Sequence, residues 1–322
     1  LNKKDWCNRD RFVLSCGHAS ALLYATLFCI DDSLYNINDL KNYRNLYSRT
    51  PGHPEYNLEK RIECTTGQLG QGIATSVGMA MAGKYYDYYF SNKKVNLFDY
   101  NVYTLVSDGD LMEGVSYEAA SFAGTYKLGK LIVLYDSNDI TLDGPIKRAS
   151  HENIIQKFIN LGWEVDYVSE GNDTREIDKA IDRAKINRRP TLIEIKTVIG
   201  RGSFHEGKNL VHGKPLSRED LINIRKKYDI DTNLMEITEA SVKYVRHTIN
   251  TRLKSTYTDW HKYIAEIKKI NNDENFKKIS EIAYTSDFCK DKTVNLILDE
   301  VFYVFGKYSA AEQIKEINFC RN

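Results

Sequence analysis

The segment that first suggests chemistry is "SDGD", residues 107–110, which follows the apolar run "VYTLV". Asp108 stands where a strand should end, Gly109 follows it, and a helix should begin near Leu111. The next apolar run along the chain ends in "YDSND", which places Asn138 at a second strand end. Carboxylate and amide oxygens suit Mg²⁺, which usually completes its coordination shell with water and ligand phosphates.

Spacing alone leaves two interpretations of this pair open. If the two strands are neighbours, Asp108 and Asn138 converge on one spot. Gly109 would then let backbone N–H groups approach a phosphate, and the helix N-terminus would add partial positive charge. Asp and Gly are also ordinary turn residues, so a solvated turn would explain the same residues equally well. For Asp110 we expect only an ordinary turn acid.

A second glycine cluster, "TTGQLGQG" at 65–72, precedes the small-residue helix "IATSVGMAMAGKYY". Gly67, Gly70 and Gly72 lack a Cβ, so the backbone here can pass close to a ligand. The same glycines also permit close packing of a helix, and periodicity does not separate the two explanations.

Four histidines lie in glycine-containing loops, namely His18, His53, His205 and His212. An imidazole supplies a switchable proton and a hydrogen-bond donor for anionic oxygen near neutral pH. A single loop histidine is more often a surface residue, so the residue type alone does not assign a role. The chain contains no HExxH zinc motif and no P-loop, because no GK[ST] follows "GRGSFHEG".

These loops would be positioned by strands and helices that alternate from about residue 60 to 200. Apolar runs predict strands at 101–107, 131–137, 163–168 and 191–199, with helices predicted at 111–126, 151–162 and 174–186. This alternation predicts an α/β fold in which helices flank a parallel sheet. Such sheets bind ligands at the carboxyl ends of their strands. "SDGD", "YDSND" and "IGRGSFHEG" all fall at such ends.

The length, charge, apolar runs and cysteines of the chain limit the number of domains and the classes of function. The chain has 322 residues, which suggests about two domains. Lys and Arg number 45 against 44 Asp and Glu, so net charge draws the chain neither to nucleic acid nor to a membrane. The longest apolar run, 21–30, is too short for a membrane span and predicts a buried helix. The six scattered cysteines predict free thiols and a cytoplasmic location.

The ordered set of motifs resembles the amino-terminal, diphosphate-binding half of the transketolase family. The stretches that carry the resemblance are "NRDRFVLSCGHASALLYATL", "YSRTPGHPEY", "TTGQLGQGIATSVGMAMA", "SDGDLMEGVSYEAASFAGTYKLGKLIVLYDSNDITLDG" and "IGRGSFHEGKNLVHGKPL". They cover residues 5–217 densely. The resemblance implies a diphosphate-binding domain at 1–216 with the thiamine-diphosphate-binding fold, and a helical linker at 217–280. It implies a diverged or truncated start of a second domain at 281–322.

The resemblance also implies roles for individual residues. A divalent ion, Mg²⁺ or Ca²⁺, would be bound by Asp108, Asn138 and the backbone carbonyl of Ile140. Contacts to thiamine diphosphate would come from His18, Gly67, Leu69, Gly109, Asn138 and His212. Catalytic roles would fall to His18, His53, His212 and Glu113, with His53 near the donor carbonyl and Glu113 in a relay between paired active sites.

The implied activity is transfer of a two-carbon ketol unit from a ketose phosphate to an aldose phosphate, as in the pentose phosphate pathway. Sugar phosphates would be the substrates, and the partner would be a second copy of the chain or a complementary pyrimidine-domain chain. Dihydroxyacetone synthase is a related possibility. A second class of function is a non-catalytic cofactor-binding or assembly protein derived from transketolase.

The chain departs from the family pattern in three ways. Gly is usual where Ser107 stands, and the serine is expected to lower cofactor affinity if that backbone needs a positive φ. Pro is usual where Gln68 stands, and the loss of its fixed turn is expected to loosen the backbone that touches the aminopyrimidine. The pyrimidine-binding and carboxy-terminal domains are expected to be missing. We therefore expect the isolated chain to be inactive without a pyrimidine-binding partner.

Overall fold

The computed structural model describes residues 6–90, 98–230 and 236–270. The strands are β1 (Arg11–Leu14), β2 (Val102–Ser107), β3 (Leu131–Ser137), β4 (Ile140–Thr141), β5 (Gly144–Pro145), β6 (Glu164–Val168) and β7 (Thr191–Lys196). The α-helices are α1 (Ser20–Ile30), α2 (Ile37–Lys41), α3 (Gln71–Phe90), α4 (Gly114–Thr125), α5 (Ile154–Asn160), α6 (Thr174–Lys185), α7 (Arg218–Lys227) and α8 (Glu239–Ile270).

The main sheet contains five parallel strands in the order β1-β2-β3-β7-β6. The predicted α/β class, a parallel sheet flanked by helices, is therefore confirmed, and the four predicted strands occur within two or three residues of their predicted ends. Strand β1 was not predicted, so the sheet begins earlier in the chain than the alternation at 60–200 suggested. Strands β4 and β5 form a separate short hairpin.

Strand β3 shows why its sequence is a continuous apolar run. Leu131, Val133 and Tyr135 belong to a buried cluster with side chains of α3, α4 and α5. Ile132 and Leu134 point to the other face, where they pack in a cluster with α6. Because helices cover both faces, alternate residues cannot be polar without burying an unpaired group. The strand therefore holds its carboxyl end in a well-defined place.

Helix α4 is held against the turn between α5 and β6 by a contact that requires a glycine. The Trp163 indole donates to the carbonyl oxygen of Ala120 at 2.8 Å. A Cβ on Gly124 would lie 1.8 Å from the carbonyl oxygen of Leu161, so no larger residue fits at this crossing. This packing fixes the direction in which α4 leaves the "SDGD" turn.

The apolar run 21–30 forms helix α1, as predicted, but it is buried on one side only. Leu23, Tyr24 and Leu27 are 8% exposed or less and pack with Leu14 and Tyr35. Leu22, in contrast, is 59% exposed. The prediction of a buried helix was therefore wrong for the outer face. A run in which every residue is apolar does not indicate which face of the helix packs against the core.

The charged segment from 217 onward is helical in its described part, as α7 and α8. Helix α8 contacts α1 through Arg246, whose guanidinium donates to the carbonyl oxygens of Phe28 and Cys29 at 3.4 Å each. Trp6 also packs edge-on against Tyr257, with ring centroids 5.6 Å apart. The boundaries at 216 and 280 stay predictions, and the segment 281–322 lies outside the described residues.

The four described cysteines, Cys7, Cys16, Cys29 and Cys64, are free thiols, as predicted. Burial raises the pKa of the Cys7 thiol to about 11, which keeps that thiol protonated and unreactive near neutral pH. None of the helices in the described part of the chain combines the length and the apolar character needed to cross a bilayer.

Candidate metal and diphosphate site

The predicted meeting of Asp108 and Asn138 occurs at the carboxyl edge of the sheet. Strands β2 and β3 are neighbours, with Ser107 opposite Asp136, so both predicted residues follow adjacent strand ends. One carboxylate oxygen of Asp108 accepts the backbone N–H groups of Asn138 at 3.1 Å and Asp139 at 2.9 Å. Neighbouring strands, and not merely a shared turn composition, therefore bring these residues together.

Asp108 is a buried carboxylate that forms no salt bridge among the described residues. It is 2% exposed, and its second oxygen accepts the phenol O–H of Tyr135. Burial raises the pKa of Asp108 above its ordinary value, whereas the hydrogen bonds from Tyr135 and Asn138 lower it. A carboxylate in such a position gains stability from a nearby cation, because desolvation penalises the charged form.

The other two predicted metal ligands lie in the same loop. The side-chain oxygen of Asn138 accepts the backbone N–H of Ile140 at 3.0 Å, which folds residues 138–140 back on themselves. The amide nitrogen of Asn138 donates to Asp136 at 3.3 Å. Asp108, Asn138 and Ile140 are thus gathered around one turn. Whether they bind an ion remains a prediction.

Lys196 is a neighbour of this loop that the sequence did not point out. Its ammonium group donates to Asp139 at 3.0 Å and to the hydroxyl of Ser137 at 2.9 Å. Asp139 has a φ of 62°, which is an uncommon conformation for a residue with a Cβ. Its backbone N–H donates a hydrogen bond to the carboxylate of Asp108. Lys196 therefore helps to hold the turn that presents a backbone donor to Asp108. The position of Lys196 at the end of β7 was the feature of the sequence that could have indicated its place near the site.

The rings of His18 and His212 stack, with centroids 5.1 Å apart and planes inclined by 26°. Burial lowers the pKa of His18, and the neighbouring His212 lowers it further. Burial also lowers the pKa of His212. The Nδ1 atom of His212 is buried and has no hydrogen-bond partner in the described part of the chain. Two neutral rings with a free polar atom can accept a proton or bind an anionic oxygen.

His53 lies beside the second glycine cluster. A Cβ built on Gly67 would meet the His53 ring at 3.2 Å, and Gly67 has a φ of 151°. Gly17, next to His18, approaches the same backbone so closely that its Cβ would lie 2.8 Å from the nitrogen of Gly67. The glycines therefore allow the loops of His18 and His53 to meet. His205 is exposed in the loop that follows β7.

Leu69 and Glu113 share a cleft of about 520 Å³ whose lining also includes Gln68 and Val115. Glu113 is exposed on this cleft. Leu69 extends toward the "SDGD" turn, because a Cβ on Gly109 would lie 3.0 Å from its Cδ1 atom. Leu69 therefore brings the glycine cluster at 65–72 into contact with the loop of Gly109.

The expectation that Asp110 is an ordinary turn acid was wrong. Asp110 is 0% exposed, and its carboxylate accepts hydrogen bonds from the hydroxyl of Ser15 at 2.7 Å and the N–H of Gly70 at 2.9 Å. Ser107 donates to it through both its N–H, at 3.0 Å, and its hydroxyl, at 3.1 Å. Ser107 has no positive φ, so the serine causes no backbone strain there.

A comparison with protein families identifies the chain. The family described as "Transketolase, thiamine diphosphate binding domain" matches residues 1–283. The chain belongs to the transketolase family. Among curated relatives, transketolase of Aquifex aeolicus is 43% identical over 265 residues, and that of Staphylococcus aureus strain MRSA252 is 46% identical over 260 residues.

Solved transketolases have the same fold. Transketolase from Leishmania mexicana superposes with a TM-score of 0.83 at 34% identity, covering 95% of this chain and 47% of that one. The Pichia stipitis enzyme, solved in complex with sedoheptulose 7-phosphate, superposes with a TM-score of 0.82 at 35% identity, covering 87% of this chain and 42% of that one. The match to the Aquifex aeolicus relative covers 82% of this chain and 38% of the relative. This transketolase-family chain therefore spans less than half the length of these proteins.

The local chemistry of this transketolase domain fits the cofactor that its family binds. The buried carboxylate of Asp108 suits a divalent cation, and its neighbours Asn138 and Ile140 offer uncharged oxygens. The partnerless Nδ1 atom of His212 suits a polar group of a ligand. Among the described residues, no three His, Cys, Asp or Glu side chains form a metal cluster, so an ion here would need amide and carbonyl ligands.

Proposed function

We propose that the chain is the diphosphate- and metal-binding part of a transketolase. The reaction transfers a two-carbon ketol unit from a ketose phosphate to an aldose phosphate in the pentose phosphate pathway of the cytoplasm, with Mg²⁺ or Ca²⁺ as the metal. The proposal includes the domain division into 1–216, 217–280 and 281–322. A homodimer, or a complex with a chain that supplies a pyrimidine-binding domain, would complete the site.

One observation carries the proposal, namely the buried Asp108 carboxylate beside Asn138, which forms no salt bridge with a described residue. A solvated turn would leave the carboxylate in water and would not need two backbone N–H groups and a phenol directed at it. Burial of an anion is costly unless a counter-charge is bound. Asp108, Asn138 and the carbonyl of Ile140 would hold the divalent ion, whose charge also neutralises the diphosphate.

The remaining residues act on the two ends of the cofactor and on the substrate. Gly67, Leu69 and Gly109 would contact it, and His18 and His212 would donate hydrogen bonds or move protons near its phosphates and reacting centre. His53 would bind the donor ketose beside its carbonyl, and Glu113 would join the relay to the paired site. When bound, thiamine diphosphate supplies an electron sink for the charge released as the carbon–carbon bond breaks.

A binding experiment tests the cofactor assignment without requiring turnover. The melting temperature of the wild type should rise when Mg²⁺ and thiamine diphosphate are added together. Asp108→Asn should remove this rise, because it removes the negative charge at nearly constant volume. Asp143→Asn, a change of an exposed loop acid, is the matched control and should keep the full shift. An equal shift in Asp108→Asn would refute the metal assignment.

An activity experiment separates the enzyme from the second candidate, a non-catalytic binding or assembly protein. Ketol transfer is measured with the chain alone and after mixing with a separate pyrimidine-domain chain. Activity that appears only in the mixture supports a transketolase with a completed site. Cofactor binding without activity in the mixture supports the non-catalytic protein.

A further inference from the structure

The carboxylate of Asp110 joins three separate loops at the carboxyl edge of the sheet. Its Oδ1 atom accepts the Ser15 hydroxyl, which follows β1, and the Gly70 N–H, which precedes α3. Its Oδ2 atom accepts the N–H and the hydroxyl of Ser107 at the end of β2. The network continues into α3, since the N–H of Ile73 donates to the Ser15 hydroxyl at 3.1 Å.

We propose that Asp110 is a positioning residue that sets the spacing of the three loops expected to bind the cofactor. Ser15 lies three residues before His18, Gly70 directly follows Leu69, and Asp110 directly follows Gly109. A movement of the carboxylate would therefore shift candidate ligand groups from three directions at once. The proposal rests on the cofactor assignment made under the proposed function, and it adds a residue that is not itself one of the candidate metal or cofactor ligands.

The geometry requires a side chain with two accepting oxygens and not only a small polar residue. Four donors converge on two oxygens, so both oxygens must act as acceptors. A carboxylate does this and forms shorter, stronger hydrogen bonds than a neutral group. An amide offers one accepting oxygen, and its NH₂ group would face the N–H of Ser107 or Gly70. Asp110→Asn therefore breaks one side of the network with almost no change in volume.

The first arm of the test measures the dissociation constant for Mg²⁺–thiamine diphosphate by calorimetry, well below every melting temperature. Asp110→Asn should raise this constant by roughly tenfold or more. Ser15→Ala, a milder change, should raise it by a smaller factor. Ser76→Ala is the matched control, because the Ser76 hydroxyl is also 0% exposed but donates to Gly72 within its own helix. The control should keep the wild-type constant even if it lowers the melting temperature.

The second arm measures amide hydrogen exchange in the cofactor-free protein. Asp110→Asn should speed exchange in segments 14–18, 66–72 and 106–110, while β3 and α6 exchange as in the wild type. Exchange that rises evenly across the protein would mean that Asp110 contributes only global stability, which overturns the proposal. A wild-type dissociation constant in Asp110→Asn and Ser15→Ala would also overturn it.

The two arms separate this inference from the proposed function. If the wild type does not bind Mg²⁺–thiamine diphosphate, the proposed function fails, and the exchange pattern alone decides whether Asp110 couples the three loops. If the wild type binds but the Asp110 and Ser15 variants bind equally well, the proposed function stands and the positioning role of Asp110 is refuted.

Discussion

His18 and His212 stack with their ring centroids 5.1 Å apart, although one follows β1 and the other follows β7. The sheet brings these two distant loops to one edge, because all five of its strands run in the same direction. The contact places two titratable rings side by side, which gives the site a pH dependence.

The stability of the folded chain should fall as the pH drops below about 6.5, in part because of this pair. Both histidine pKa values are lowered in the folded state from the ordinary 6.5. The unfolded chain therefore takes up protons first, and the folded state loses stability from about pH 6.5 down to the folded pKa values. Above that window the pair imposes no such penalty.

Urea denaturation at a series of pH values checks this expectation. His18→Asn should show a shallower loss of unfolding free energy between about pH 7.5 and about pH 5.5 than the wild type. His151→Asn, which replaces an exposed histidine before α5, should keep the wild-type slope. A slope in His18→Asn that equals the wild-type slope would contradict the assignment of this pH dependence to the stacked pair.

Tyr135→Phe should weaken Mg²⁺ binding while it leaves the fold intact. The phenol of Tyr135 donates to Asp108, so its removal leaves one oxygen of the predicted metal ligand less well oriented. Loss of such an outer partner typically costs about 10–100-fold in metal affinity. Competition with a chelator, in the presence of thiamine diphosphate, measures the change.

The matched control for this prediction is Tyr100→Phe. Tyr100 is also a buried phenol, and it donates to the carbonyl oxygen of Met79 at 3.0 Å. Both variants should lose about 1 kcal/mol of unfolding free energy for the missing hydrogen bond. If both reduce Mg²⁺ affinity by the same factor, the effect of Tyr135 comes from general stability and not from Asp108.

Two glycine substitutions should change stability in opposite directions. Gly67→Ala should cost about 1–3 kcal/mol, because Gly67 has a φ of 151° and its new Cβ would meet His53. Gly78→Ala should stabilise the chain by roughly 0.5–1 kcal/mol, because Gly78 lies within α3 and a Cβ there meets nothing within 4 Å. Chemical denaturation measures both, and a stabilising Gly67→Ala would refute the strain argument.

Arg246→Ala should destabilise the contact between α8 and α1. The guanidinium bonds two carbonyl oxygens at the end of α1 and pairs with Asp32 at 3.2 Å, so its loss should cost about 1 kcal/mol. Lys243→Ala removes an exposed pair with Glu239 and should change stability by less than about 0.5 kcal/mol. Equal thermal shifts would show that α8 does not depend on this contact.

The sequence alone determined the elements whose patterns are local and strong. A continuous run of apolar residues predicted β3, which is buried on both faces. The polar residues that follow two successive predicted strands indicated that Asp108 and Asn138 meet. Parallel strands force their carboxyl ends to one edge, so this proximity follows once neighbouring strands are assumed. The resemblance of several motifs to transketolase then pointed to a family that the comparison confirmed.

The tertiary structure decided what depends on residues far apart in the chain. Strand β1 has four residues, too few for a clear pattern, and it exists because it pairs with β2. In the sequence, Asp110 and Lys196 look like ordinary charged residues. The fold brings Ser15 and Gly70 to Asp110, and it brings Asp139 to Lys196. Hydrogen bonds between distant segments leave no local pattern in the sequence, so the role of each such side chain depends on which segments the sheet brings together.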